Sequence, residues 1–249
     1  MTDAIVIERE GGLLTLRLNR ADKKNALTRA MYGQLGQALQ LADEDPAVRA
    51  VLIRGSDECF TSGNDIADFL EEPPSDLDSP VFHFMRNLLD CRKPVVAAVA
   101  GPAVGIGTTL LLHCDLVYVS ADARLRMPFV NLGLCPEFGS SLLLPRLVGH
   151  AKAAELLLLG EGFSGEQAAA WGLATAALPS GAEALLKARE AALRFEQLAP
   201  SAVQVSKALM KSPDREQLRQ VVEAEGKLFV QRLRSPEAIA ALSGFLARR

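Results

Sequence analysis

Two glycine-containing turns and one isolated acid are the residues of this sequence whose types and spacing could do chemistry. The turns are Cys59-Phe60-Thr61-Ser62-Gly63-Asn64-Asp65-Ile66 and Ala100-Gly101-Pro102-Ala103-Val104-Gly105-Ile106-Gly107, each leading out of an apolar stretch. Glycine permits positive φ and lets backbone N–H groups face outward, and a helix N-terminus adds unpaired N–H donors of its own. Face to face, two such turns would stabilise a developing negative charge, as an oxyanion hole does. Set apart they are ordinary tight connections, and spacing leaves both readings open. The acid is Glu137, in the loop Asn131-Leu132-Gly133-Leu134-Cys135-Pro136-Glu137-Phe138-Gly139, amid Leu132, Leu134, Phe138 and Leu142. It either caps a predicted helix beginning at Ser140 or, if buried, holds a raised pKa and accepts a proton near neutral pH.

Other constellations fail. The histidines His83, His113 and His150 show no HExxH or mixed His/Cys spacing, so no metal is expected. There is no GxSxG elbow and no GxxxxGK[ST] loop. Gly105-Ile106-Gly107 follows a predicted strand, but the third glycine of a dinucleotide fingerprint would fall at Leu110. No metal or redox cofactor is therefore expected. With 27 Lys+Arg against 30 Asp+Glu, the net charge of −3 argues against nucleic-acid binding. A chain that is 49% hydrophobic and 23% charged can bury a substantial core as one large α/β unit or two small ones. Cys59, Cys91, Cys114 and Cys135 form no CxxC pair and read as reduced thiols, and MTDAIVIERE lacks the bases and apolar run of a signal peptide. The expectation is a soluble cytoplasmic protein without a membrane partner. Residues 94–114 carry no Asp, Glu, Lys or Arg, but Gly101, Pro102, Gly105 and Gly107 break the run, so it reads as a strand, a turn and a buried helix.

The positioning elements follow from periodicity. A hairpin is predicted over 5–8 and 13–18, joined by Gly11-Gly12, with Leu14, Leu16 and Leu18 alternating against Thr15 and Arg17. Met31, Leu35, Leu39 and Ala42 recur at helical spacing until Asp45-Pro46, before a strand over 50–54. A helix bearing Val81, Met85, Leu88 and Leu89 follows, then strands over 95–100 and 116–119 and a short one near Leu125. Strands alternating with helices predict parallel pairing in α/β layers. From Ala151 onward the chain reads as almost wholly helical, with a capping box at Ser164 and Gln167 and helix starts at Pro200-Ser201 and Ser235-Pro236. Residues 68–80, rich in acids and prolines without one base, read as a mobile surface loop, either a solvated excursion or a lid.

Taken together, the ordered segments resemble the enoyl-CoA hydratase/isomerase (crotonase) family. They run from Leu18-Asn19-Arg20 and Asp22-Lys23-Lys24-Asn25-Ala26-Leu27, through the two glycine turns, to Cys114-Asp115 and Trp171-Gly172-Leu173. The resemblance implies an α/β fold built as a spiral of repeated strand-strand-helix units over 1–195 with an acyl-CoA site. It also implies a C-terminal helical region over 196–249 used for oligomerisation, as a homotrimer or dimer of trimers. It places the oxyanion-hole donors on the main-chain N–H groups of Asn64 and Ile106. Lys24, Ala26, Ser62, Asp65, Ile66 and Phe129 would bind substrate, and Lys227 would reach the CoA phosphates. Coenzyme A enters as part of the acyl-CoA thioester substrate.

The departures narrow the reaction. Hydratases of the family activate water with two glutamates, whose positions correspond here to Thr109 and Phe129, and neither is a base. Glu137 matches instead the position of the catalytic acid in peroxisomal-type Δ3,Δ2-enoyl-CoA isomerases. The resemblance therefore implies an isomerase moving a double bond from C3 to C2, with weak hydration. Another acyl-CoA reaction of the family, as in enoyl-CoA hydratases, ring-modifying isomerases or dehalogenases, and a non-catalytic acyl-CoA-binding subunit are the alternatives.

Overall fold

The computed structural model describes residues 3–247. Strands β1 (Ile5–Glu10) and β2 (Leu13–Leu18) form the antiparallel hairpin. Helix α1 (Arg29–Glu44) starts where Thr28 accepts the Met31 N–H and ends at Asp45, and leads to β3 (Ala50–Arg54). Helices α2 (Ile66–Glu71) and α3 (Pro80–Asp90) precede β4 (Val95–Val99). Next come the short β5 (Pro102–Val104) and α4 (Ile106–Thr109), then β6 (Leu116–Ser120) and β7 (Arg124–Arg126). Helices α5 (Ser140–Val148) and α6 (His150–Leu158) lead to β8 (Gly162–Ser164), α7 (Gly165–Ala170) and β9 (Ala176–Leu178). Helices α8 (Gly181–Leu193), α9 (Pro200–Lys211), α10 (Arg215–Leu233) and α11 (Pro236–Leu246) complete the described chain.

The main sheet has the order β1-β2-β3-β4-β6-β9 and is parallel beyond the first pair. Its central strands are buried on both faces, as parallel strands covered by helices must be. Leu52, Val96 and Ala98 point towards Ala188 and Ala192 of α8. Val51, Ile53, Val95 and Ala97 alternate with them and join the larger core of α1 and α3, with Leu35, Leu39 and Leu88. A second sheet, β5-β7-β8, lies beside it, extended by an isolated bridge between Thr61 and Ala103. Each turn of the spiral thus adds one strand to the main sheet and one short strand or bridge to the second. This is the architecture the resemblance implies.

Two expectations need correction. The chain after Ala151 is not almost wholly helical: β8 joins the second sheet, and β9 closes the main sheet through Tyr118, Val119 and Ser120 of β6. Ala176-Ala177-Leu178 has no β-branched residue, so only tertiary pairing makes it a strand. Nor are residues 68–80 a free loop. Asp68 lies in α2, Pro74 is buried, and the backbone carbonyls of Ser75 and Leu77 accept hydrogen bonds from Arg234 and Arg86. No helix among the described residues is long and apolar enough to cross a membrane.

Asn25 ties the first loop to the first glycine turn. It is 1% exposed at φ 53, its Oδ1 accepts the Arg20 N–H at 2.9 Å, and its Nδ2 donates to the carbonyls of Cys59 and Phe60 at 3.0 and 3.1 Å. Asn25→Ala would orphan these groups and keep a non-glycine residue in the left-handed region. Its expected cost is about 2–4 kcal/mol, measured by denaturant unfolding.

Candidate active site

The second sheet lays the two glycine turns side by side. The Thr61 N–H donates to the Pro102 carbonyl and the Val104 N–H to the Thr61 carbonyl, each at 3.0 Å. Gly63 lies at φ 90, and a Cβ there would stand 2.8 Å from the Val104 oxygen, so the approach requires glycine. Just past the contact, each turn presents one main-chain amide: Asn64 after Gly63, and Ile106 as the first residue of α4. Neither N–H donates to another described residue, and for Ile106 that is the normal state of a first-turn amide.

Asn64, Ile106 and Glu137 line one narrow cavity, walled by Tyr32, Phe69, Pro74, Val81, Phe82, Met85 and Phe229. The space open to the centre of a water molecule is about 10 Å³, room for roughly one water. Glu137 is 4% exposed. Its Oε1 accepts the Thr109 hydroxyl at 2.5 Å, and its Oε2 is buried with no hydrogen-bond partner. Burial pushes its pKa up to about 8, against the lowering effect of Thr109 and with a further push from the charge of Glu225. The carboxyl is therefore poised to change protonation near neutral pH. It does not cap α5: the amides of Gly139 and Ser141 are held by Glu225 instead.

The loop bearing Glu137 is held in an unusual conformation. Phe138 sits at φ 57, a position an aromatic residue rarely adopts, and Gly139 follows at φ 73. The Phe138 ring stacks on His113 at 3.8 Å between centroids, and His113 Nε2 lies 2.7 Å from the Phe138 carbonyl. Burial lowers the His113 pKa to about 3, so the ring is neutral and donates its Nε2–H to that carbonyl.

The other residues singled out in the sequence fall nearby in different roles. The Ser62 N–H donates to the Lys24 carbonyl, the Leu27 N–H to Gly63 and the Asp65 N–H to Leu27, which gathers Lys24, Ala26, Ser62, Asp65 and Ile66 against the first turn. The Asp65 carboxylate is already engaged: it pairs with Arg20 at 2.5 Å and accepts the Ala67 N–H at the start of α2. Phe129 packs edge-on against Phe229 and behind Gly105, outside the cavity wall. Lys227 pairs with Glu223 on the exposed face of α10. Tyr32, whose hydroxyl donates to Asn64 Oδ1, was not foreshadowed in the sequence because it falls on the apolar stripe of α1. Glu225, far along the chain in a polar helix, carried no local signal either. Among the described residues, no three His, Cys, Asp or Glu side chains cluster as metal ligands would.

The family profile described as "Enoyl-CoA hydratase/isomerase" matches residues 8–249. Enoyl-CoA delta isomerase 2 of Rattus norvegicus is 36% identical over 98% of this chain and 64% of its own length. The 1,2-epoxyphenylacetyl-CoA isomerase of Escherichia coli K12 is 38% identical over 70% of this chain and 69% of its own. The solved structure of Pseudomonas aeruginosa OdaA superposes with a TM-score of 0.97 at 69% identity, covering 98% of this chain and 99% of that one. The chain thus spans 64% of the length of the rat and human delta isomerase 2 proteins it matches.

Proposed function

The chain belongs to the enoyl-CoA hydratase/isomerase family, and we propose that its reaction is the shift of a double bond from C3 to C2 of a 3-enoyl-CoA thioester. One observation carries this reading: the cavity holds a single acid, Glu137, with a buried, unpartnered oxygen and a pKa pushed up to about 8. The positions where hydratases of the family place glutamates hold Thr109, which donates to Glu137, and Phe129, which is packed away from the cavity. A hydratase must hold and activate water between two acids, whereas an isomerase needs one carboxylate and no water.

The steps balance without an added reagent. Glu137 as carboxylate removes a C2 proton, and the electron pair delocalises through the C3–C4 double bond and the carbonyl to give a dienolate. The Asn64 and Ile106 amides would receive the negative oxygen, a preorganised stabilisation worth several kcal/mol. Glu137, now protonated, returns a proton to C4; the C2–C3 double bond forms, the thioester carbonyl is restored and the carboxylate is regenerated. The apolar walls would keep water from competing for the intermediate.

Incubating the protein with 3-enoyl-CoA and with 2-enoyl-CoA in deuterated water tests the reading. The expected result is interconversion of the two with exchange at C2 or C4, and hydration slower by about a hundredfold or more, the scale of one missing acid-base group. Rapid formation of 3-hydroxyacyl-CoA would overturn it. The E. coli relative named as an epoxyphenylacetyl-CoA isomerase supports a second reading, isomerisation of a ring-bearing acyl-CoA. Turnover of such a ring substrate in place of linear 3-enoyl-CoA would favour it.

A further inference from the structure

Two acids are buried among the described residues, Glu137 and Glu225, and the reaction above uses only the first. Glu225 lies on α10 and is 6% exposed. Its Oε2 accepts the Gly139 N–H at 2.5 Å and its Oε1 the Ser141 N–H at 3.0 Å. Those amides follow Glu137 by two and four residues, across the left-handed pair Phe138 and Gly139. Helix α10 presses on the same turn with apolar contact, because a Cβ on Gly139 would lie 2.4 Å from Leu218 Cδ1. From the far side, His113 holds the Phe138 carbonyl. The turn that aims Glu137 is therefore gripped between His113 and a buried carboxylate donated by a C-terminal helix.

Burial raises the Glu225 pKa above the ordinary carboxylate value, and the Ser141 and Gly139 groups that hydrogen-bond to it oppose that rise by favouring the charged form. The other groups facing Glu137 are the Thr109 hydroxyl from α4, the Tyr32 phenol from α1 and the Cys135 thiol of its own loop. Burial holds the Tyr32 phenol and the Cys135 thiol neutral. Arg232, further along α10, is engaged by the Gly133 carbonyl and Glu237. Glu225 is then the charged group whose field reaches Glu137.

We propose that Glu225 is a positioning residue for Glu137: it clamps the Phe138-Gly139 turn through two amides, and its negative charge makes Glu137 the stronger proton acceptor. This rests on the reading of Glu137 as the base. The test is a titration of the Glu137 carboxyl by carbon-13 NMR in the full chain, assigned with Glu137→Gln, alongside steady-state kinetics. In Glu225→Gln, Glu137 is expected to titrate lower, with roughly threefold more of it ionised at a pH below its midpoint. Measured above both midpoints, where Glu137 is ionised in either chain, kcat should fall while KM stays close to its original value. Glu225→Asp keeps the charge but shortens the reach, so it should lower kcat and leave the titration high. If Glu225→Gln does not fold, Glu225→Asp carries the test by itself: a lowered kcat at an unchanged KM with the Glu137 titration still high. An unmoved Glu137 midpoint in Glu225→Gln, or full kcat in Glu225→Asp, overturns the proposal. Full isomerase activity in Glu137→Gln with the titrations coupled would instead sink the base assignment alone.

Discussion

Glu137→Gln is expected to lower isomerase kcat by about a thousandfold, within the range spanned by single general acid-base groups, while acyl-CoA binding changes little. The amide keeps the shape and can still accept the Thr109 hydroxyl, so the loss would reflect proton transfer rather than collapse. The pH dependence has a definite direction. The base must be ionised to take the C2 proton, so kcat/KM of the natural chain should climb as pH rises and level off above about 8. Stability should run the other way. The folded chain keeps the Glu137 proton up to about pH 8, whereas the unfolded chain releases it near the ordinary value of 4.5. Between those limits the folded state binds the extra proton, and folding weakens with rising pH by a few kcal/mol. Glu137→Gln escapes this loss. Its melting temperature should match that of the natural chain near pH 5 and exceed it above pH 8. A variant that is both active and no more stable at high pH would refute the assignment.

Gly63→Ala is expected to be nearly as damaging to activity, though no acid is touched. Its Cβ would meet the Val104 oxygen at 2.8 Å, and alanine at φ 90 is strained whatever the space. The two turns must then part, which carries the Asn64 amide away from that of Ile106. The loss of one oxyanion donor costs about a hundredfold or more in kcat, with roughly 1–3 kcal/mol of stability from backbone strain. Kinetics and thermal melting on the same preparation separate the two effects. Unchanged kcat with lowered stability would show that the turns carry packing only.

Much of this molecule is legible in its sequence because the signals are local. The alternation of Leu14, Leu16 and Leu18, the Asp45-Pro46 stop and the Ser164–Gln167 capping box each act within a few residues, and the structure places strands, helix end and cap where they predict. The two glycine turns and Glu137 could be singled out because their neighbours are apolar. What remained hidden is set by distant pairing. Ala176-Ala177-Leu178 is a strand only because β6 offers it an edge, and Pro74 is buried only because α2 and α3 fold beneath it. Phe138 is an apolar neighbour of Glu137 in sequence, yet its φ of 57 turns its ring onto His113, and Phe229, from far along the chain, stands at the cavity wall. Tyr32 and Glu225 are likewise recognisable only once their helices have docked.

The way the small cavity is shut has a thermal consequence. Its seal is apolar, from Phe69, Pro74, Val81 and Phe82, while the fasteners around the rim, such as Arg29 with Glu72, lie out in solvent. Exposed ion pairs contribute little, so electrolyte should hardly loosen the doorway. Apolar closure weakens on cooling, so the packing of these side chains should loosen as the temperature falls.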